Sequence, residues 1–251
     1  MRYTFRALAK DIRHVILDEG IRHYSRIIPP EVLNNSFHDE ISRICAGEDI
    51  INLIEIGSSS GAGSTTAIEI GLMGNPNKHA KLHCLEISQE RFEVLYARFS
   101  DNSRIEVHRL SSISIDQFPS FFKVIKFWNS QKSKLNEHSL IEIFLWWKKD
   151  RKYLKIFFNS QNLLAPSDSG IAYLKKKLSL ESFDFALIDG GEFNGYSEFS
   201  ELRGSKWIAL DDINSYKCNS AYFALQGDTN YELVVENWDI RNGYAIFKKK
   251  S

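Results

Sequence analysis

The strongest chemical signal in the chain is Glu55-Ile56-Gly57-Ser58-Ser59-Ser60-Gly61-Ala62-Gly63-Ser64, where an apolar run ends in a carboxylate, passes through glycines and enters a helical pattern. Glycine tolerates positive φ and has no side chain to obstruct, so such a turn lets a ligand approach the backbone, and the exposed amides of the helix start supply donors. A second apolar run, Lys81-Leu82-His83-Cys84-Leu85-Glu86, ends in another carboxylate one strand–helix unit downstream. In a doubly wound sheet this places Glu86 at the carboxyl edge beside the glycine turn, where a carboxylate can accept hydrogen bonds from vicinal ribose hydroxyls. An adenosine-bearing ligand fits the pair. The competing readings are glycines kept for turn geometry alone and a Glu86 that faces water. The three-residue gap between Gly57 and Gly61 matches a dinucleotide fingerprint poorly.

Acidic residues form a second constellation. Phe183-Asp184-Phe185-Ala186-Leu187-Ile188-Asp189-Gly190-Gly191-Glu192 and Trp207-Ile208-Ala209-Leu210-Asp211-Asp212 are two more strand patterns ending in carboxylates. They reach the same sheet edge, so their charges repel unless a proton, a cation or a basic partner intervenes. A hard divalent cation on Asp189, Asp211 and Asp212 is the economical answer. Asp189 could instead cap the following turn, and Asp211-Asp212 could cap a helix, since Asn214 and Ser215 follow. Glu192 could act as a general base with a pKa raised by desolvation, as an extra metal ligand, or as a solvated loop residue.

These residues need elements to hold them. Residues 1–49 read as a helical preface, with Leu8, Ile12, Val15 and Ile16 at helical spacing, a break at Pro29-Pro30, and a resumed pattern over 31–45. Residues 51–56, 81–87 and 104–109 read as strands, with helices over 64–73 and 89–99 between them. Strands resume at 183–188 and 206–210, and 231–236 pairs with 244–248 through a turn at 239–243. The interval 116–180 shows no clear strand; it holds twelve Lys or Arg and five Asp or Glu, a local net of about +7.

With these motifs the chain resembles the class I S-adenosylmethionine-dependent methyltransferases, and within them O-methyltransferases whose first motif reads E-I-G-x-x-x-G-x-S/G. The resemblance spans 50–250, with 116–180 unmatched. It implies an α/β Rossmann-like doubly wound sheet of order 3-2-1-4-5-7-6 with an antiparallel last strand. It also implies a single methyltransferase domain over 50–251, interrupted by a helical insertion. By this resemblance Glu55, Gly57, Ser58, Gly61 and Ser64 bind the cofactor, with Gly57 to Gly63 wrapping its methionine part, Glu86 holds the ribose, Ser111 or Ser112 lies near the adenine, and Asp189 reaches the cofactor. Asp189, Asp211 and Asp212 match the positions that bind a magnesium-like ion in the metal-dependent members, and Asp189 and Glu192 are the catalytic candidates. Gly191-Glu192 departs from the family's usual Asp-Gly-Asp-His or terminal lysine, which leaves the general base open.

The implied function is methyl transfer from S-adenosylmethionine to a hydroxyl of a small sugar, phenol or natural product, with or without Mg2+. An RNA-modifying methyltransferase and a catalytically silent adenosyl-binding domain are the alternatives. The first rests on the insertion, where Phe121, Phe122, Phe127, Trp128, Phe144, Trp146, Trp147, Phe157 and Phe158 interleave with basic residues as a stacking groove requires. The same rings could instead be the buried face of amphipathic helices. Thirty-two basic residues balance thirty-two acidic ones, so no global field attracts nucleic acid or membrane. Cys45, Cys84 and Cys218 lack a CxxC pair and read as reduced thiols of a cytoplasmic protein. No apolar run is long enough to span a bilayer. The seven histidines read as surface or loop residues. The expected partner is a small-molecule acceptor, with a homodimer left open.

Overall fold

The computed structural model describes residues 26–47, 49–160 and 168–250. Seven strands form one sheet: β1 (Asn52–Ile56), β2 (Lys81–Leu85), β3 (Ile105–His108), β4 (Phe185–Ile188), β5 (Trp207–Asp211), β6 (Tyr231–Asn237) and β7 (Tyr244–Lys249). Their order is β3-β2-β1-β4-β5-β7-β6, with β7 antiparallel to both neighbours and the remaining pairs parallel. This is the expected order. Residues 8, 12, 15 and 16, whose spacing in the sequence predicts a helix, lie outside the described residues.

Among the described residues the α helices are α1 (Ser36–Cys45), α2 (Ser64–Gly74), α3 (Gln89–Phe99), α4 (Phe121–Ser130), α5 (Leu140–Ser160), α6 (Gly170–Leu178), α7 (Gly195–Leu202) and α8 (Tyr216–Gln226). The central strands are buried on both faces, as in a parallel sheet covered by helices, with Glu55 and His83 the buried polar exceptions in β1 and β2. One face of the sheet, including Leu53, Leu82, Phe185 and Leu187, packs with Ile41, Ile68 and Leu95 of α1, α2 and α3. The other, including Ile54, Ala186, Ile188 and Leu210, packs with Ile171, Leu202 and Leu225 of α6, α7 and α8. The described part of the N-terminal segment joins this core through Val32, Phe37, Ile41, Ile44 and Cys45. A Cβ on Gly71 would stand 2.6 Å from both the Cys45 Cβ and the Ser42 carbonyl, so glycine there lets α1 lie directly on α2.

Register sets the site. Ile56 pairs with Leu85 on one side and Ile188 on the other, and Ile188 pairs with Leu210. The residues that follow, Gly57, Glu86, Asp189 and Asp211, therefore stand level along one sheet edge. Among the described residues most of the 116–180 interval is helical; Phe118, Val124, Phe127, Ile143 and Leu154 form a third cluster with Ile113 and Phe193, while Ile171 and Leu174 of α6 pack on the sheet. Among the described residues no helix is long and apolar enough to cross a membrane.

Candidate active site

Two cavities, one smaller than the other, open along this edge, and both are lined by Gly57, Arg91, Asp189 and Gly190. The smaller adds Glu86, Leu110, Ser111 and Ser112 from the ends of β2 and β3, and Tyr153 and Leu154 of α5. The larger adds Ser58–Ser60, Glu192, Asp212, Lys217, residues 28–32 and Trp146 of α5.

Gly57 has φ +82°, and a Cβ there would stand 2.2 Å from the Asp189 carbonyl oxygen, so this turn accepts only glycine. Glu86 is 5% exposed. Its two oxygens accept from the Ser59 amide at 2.9 Å and the Ser88 amide at 2.7 Å, which aims the carboxylate along the cavity wall. Burial raises its pKa, and the amides of Ser88 and Ser59 with the Arg91 charge offset part of that rise. Ser111 lines the smaller cavity and its hydroxyl donates to the Ile113 carbonyl at 2.7 Å. Ser112 donates to Glu198 at 2.6 Å. Ser58 lines the larger cavity, and its buried hydroxyl has no hydrogen-bond partner among the described residues.

Three expected cofactor residues have other tasks. Glu55 is fully buried, and its oxygens accept from Ser64 Oγ and Thr65 Oγ1, each at 2.6 Å. The carboxylate thus ties β1 to the first turn of α2, where the helix dipole favours a negative charge, and it faces neither cavity. The Ser64 hydroxyl is spent on the same bond, though Ser64 lines the larger cavity. Gly61, at φ +75°, turns toward α3, where a Cβ would meet Phe99 at 2.4 Å and Leu95 at 2.6 Å. Its requirement is helix packing rather than ligand approach.

Asp189, Asp211 and Asp212 do converge, each offering an oxygen within 4.8 Å of the others. The charge that accompanies them comes from the chain itself. Lys217 Nζ lies 2.7 Å from Asp189 Oδ1 and 2.5 Å from Asp212 Oδ2, while Arg241 pairs with Asp211 and, at 2.9 Å, with Glu31. Lys217 is 7% exposed. Burial alone would lower its pKa, but Asp189, Asp212 and Asp211 outweigh it and hold the pKa well above the usual lysine value. Burial raises Asp189 and Asp211, and the neighbouring carboxylates add to this. At Asp212 burial opposes ionisation, yet the Lys217 ammonium and Arg241 bring its pKa below the usual value. A divalent ion bridging Asp189 and Asp212 would need the place the ammonium holds, so the trio in this arrangement does not fit the expected metal.

Neither aspartate caps a helix. Asp212 is in the left-handed region at φ +57°, and the N-cap of α8 is Ser215, whose hydroxyl accepts from the Lys217 amide. This places Lys217 in the first turn of α8, where the dipole disfavours a cation; the facing carboxylates reverse that preference. Glu192, half-buried beside them, accepts from the Tyr216 amide at 3.0 Å and from Ser215 Oγ at 3.3 Å. Desolvation, with Asp212 nearby, pushes its pKa up to about 7 against the opposing Lys217 charge.

Sequence reasoning missed Lys217, Arg241 and Glu198. Glu198 lies on the buried face of α7 with Phe199 and Leu202, and burial raises its pKa to about 7. It sits under Gly190, whose added Cβ would stand 2.5 Å from Glu198 Oε1. A glutamate at i, i+4 from Leu202 on an apolar face was the available signal. The histidine expectation also needs correction. His83 is buried on β2 and its Nδ1 lies 3.1 Å from His108 Nε2 on β3. Burial lowers both imidazoles, His108 to about 4.

In the insertion, Phe127 and Phe157 are buried, and Trp128, Trp146, Trp147 and Phe158 pack against the cluster that holds Phe127. Lys148 and Arg151 stand 5.8 Å and 5.7 Å over the Phe144 and Trp147 rings. The stripe is largely a core, with Phe122 and Phe144 left exposed and these two cations set over its own rings.

No family model matches the sequence, and no curated protein matches it. Solved structures do. An O-methyltransferase from Bacillus cereus, in complex with SAH, superposes at TM-score 0.52 with 13% identity, over 94% of this chain and 91% of that one. The chain has the class I methyltransferase fold. A methyltransferase from Geobacter sulfurreducens superposes at TM-score 0.50 with 8% identity, over 100% of this chain and 91% of that one. In this methyltransferase fold, Gly57, Glu86 and Asp189 occupy the carboxyl edge of the sheet, where open α/β sheets bind their ligands.

Proposed function

We propose that the chain transfers the methyl group of S-adenosylmethionine to a hydroxyl of a small acceptor, and that Lys217 does the work of a divalent cation. The observation that carries this reading is the level edge formed by Gly57, Glu86 and Asp189, with Glu86 held by two backbone amides inside a cavity. The solved O-methyltransferase of the same fold, itself a complex with SAH, supports it.

In this reading Glu86 accepts from the ribose hydroxyls and Ser111 borders the adenine, which fills the smaller cavity. The methyl end lies toward Asp189, and the acceptor enters the larger cavity beside Asp212, Lys217 and Glu192. The acceptor oxygen attacks the methyl carbon, the carbon–sulfur bond breaks, and its electron pair stays on sulfur. The hydroxyl proton passes to Glu192, giving a methyl ether and S-adenosylhomocysteine. Lys217 keeps Asp189 and Asp212 ionised and fixed, so the chain supplies alignment and electrostatic preorganisation at the reacting centre. Asp212 lines the larger cavity beside Glu192, and its buried Oδ1 has no hydrogen-bond partner among the described residues, which leaves it free to accept from a second polar group of the acceptor.

Calorimetry with S-adenosylhomocysteine, followed by a turnover screen of sugar and phenol acceptors with and without EDTA, tests the proposal. Binding that Glu86→Gln weakens at least about tenfold is expected, the loss of roughly one charge-assisted hydrogen bond. Turnover is expected to survive EDTA and to fall in Lys217→Met. Absence of binding heat overturns the methyltransferase reading; activity abolished by EDTA and restored by Mg2+ overturns the role given to Lys217.

A further inference from the structure

A second cluster of ligand-type side chains lies away from this edge. His83 on β2 and Glu106 and His108 on β3 project from the same face of adjacent parallel strands, because His83 pairs with Glu106 and Leu85 with His108 in the ladder. His83 Nδ1 and His108 Nε2 are 3.1 Å apart, and Glu106 Oε2 is 3.6 Å from the first and 3.9 Å from the second. A tetrahedral zinc ion with its usual bond lengths separates its ligand atoms by about 3.3 Å. The sides of the triangle on β2 and β3 therefore need to change by about 0.2 to 0.6 Å to surround one, within reach of side-chain rotation.

We propose that His83, Glu106 and His108 form a binding site for a borderline transition-metal ion of the Zn2+ type, with a fourth position open to water. Strand register fixes the two imidazoles. Lys81 holds the other Glu106 oxygen at 2.7 Å, which turns Oε2 toward the rings. Glu106 is partly exposed at the sheet's edge strand, giving an ion a way in. Two cations, Lys81 and Lys177, face the cluster, so retention depends on nitrogen coordination rather than on field strength. That selects Zn2+, Co2+ or Ni2+ over Mg2+ or Ca2+. His83 lies three positions before Glu86, and His108 three before Ser111. The ion would clamp the two strands that deliver those residues to the cavity, but its binding does not depend on methyl transfer.

The competing arrangement is a hydrogen bond between two neutral imidazoles, and metal titration separates the two. The full-length chain, stripped with a chelator and desalted, is titrated with Co2+ and Zn2+ beside His108→Gln, Glu106→Gln and an Asp212→Asn control. The expected result is one Co2+ per chain with the intense visible bands of a four-coordinate site. Each of the first two variants should weaken it by at least about tenfold, the usual scale for perturbing a metal's ligand shell, while Asp212→Asn leaves it unchanged. No bound Co2+ overturns the proposal, as does binding that Asp212→Asn abolishes and His108→Gln spares. Should either variant fail to fold, NMR of the wild-type imidazoles decides: Co2+ must broaden the His83 and His108 resonances selectively, and unaltered resonances overturn the site.

Discussion

Glu192 is the residue whose protonation the proposed chemistry needs to change during turnover. Its pKa of about 7 comes first from desolvation, and Lys217 opposes the shift without cancelling it. A base must be deprotonated, so kcat/KM should rise tenfold per pH unit below about 7 and level off above it. Glu192→Gln should remove that limb and lower the plateau by about two to four orders of magnitude, the range for general-base catalysis. Stability moves the other way. Because the folded pKa exceeds that of a free glutamate, the neutral form stabilises the fold fully below the unfolded value and loses this contribution as pH rises through about 7. Wild type minus Glu192→Gln in denaturant midpoints, measured from pH 4 to 9, should fall across that window. A pH-independent difference would mean that Glu192 does not titrate there.

At the scale of elements, the β1–α2 turn and the end of β4 approach so closely that one methyl group decides whether both can exist. Gly57→Ala would put a Cβ 2.2 Å from the Asp189 carbonyl at a φ of +82°, and backbone cannot yield as a flexible side chain does. Positive-φ strain of about 1–2 kcal/mol adds to that overlap, so a loss of roughly 3 kcal/mol with weakened ligand binding is expected from denaturant titration. A loss under about 1 kcal/mol would show that the turn relaxes. This turn was legible in the sequence because glycine spacing and strand alternation are local properties, as were the seven strands, whose bounds fall within two residues of expectation. The compensation of the acidic edge was not. Lys217 meets Asp189 across 28 positions, and Arg241 meets Asp211 across 30. Neither lysine nor arginine carries a pattern that announces such a partner. The same holds for His83 and His108, joined only by ladder register. Conversely, Glu55 had the right spacing and the wrong direction, since alternation fixes which face a side chain takes but not which polar group within reach will claim it.

For the molecule as a whole, the question is whether the 116–160 helices fold with the sheet or apart from it. Their cluster is completed by residues the sheet supplies: Ile113 after β3, Phe193 after β4 and Tyr216 at the start of α8. Phe127 packs edge-on against Tyr216 at 5.0 Å, and Trp146 against Phe193 at 5.3 Å. Removing the sheet would strip these partners, so the insertion should unfold together with the body in one transition. Phe118, Tyr153 and Leu154 of this region also wall the smaller cavity, which makes it part of the ligand site. A ligand that binds only the folded state adds about 2.7 kcal/mol at a hundred times its Kd. For a chain of this size that corresponds to a rise in Tm of about 5–10 °C. Calorimetric melting with S-adenosylhomocysteine should therefore show a single peak, moved as a unit. A second peak that stays in place while the first shifts would mean that the insertion folds independently and that the cavity's outer wall is not coupled to its floor.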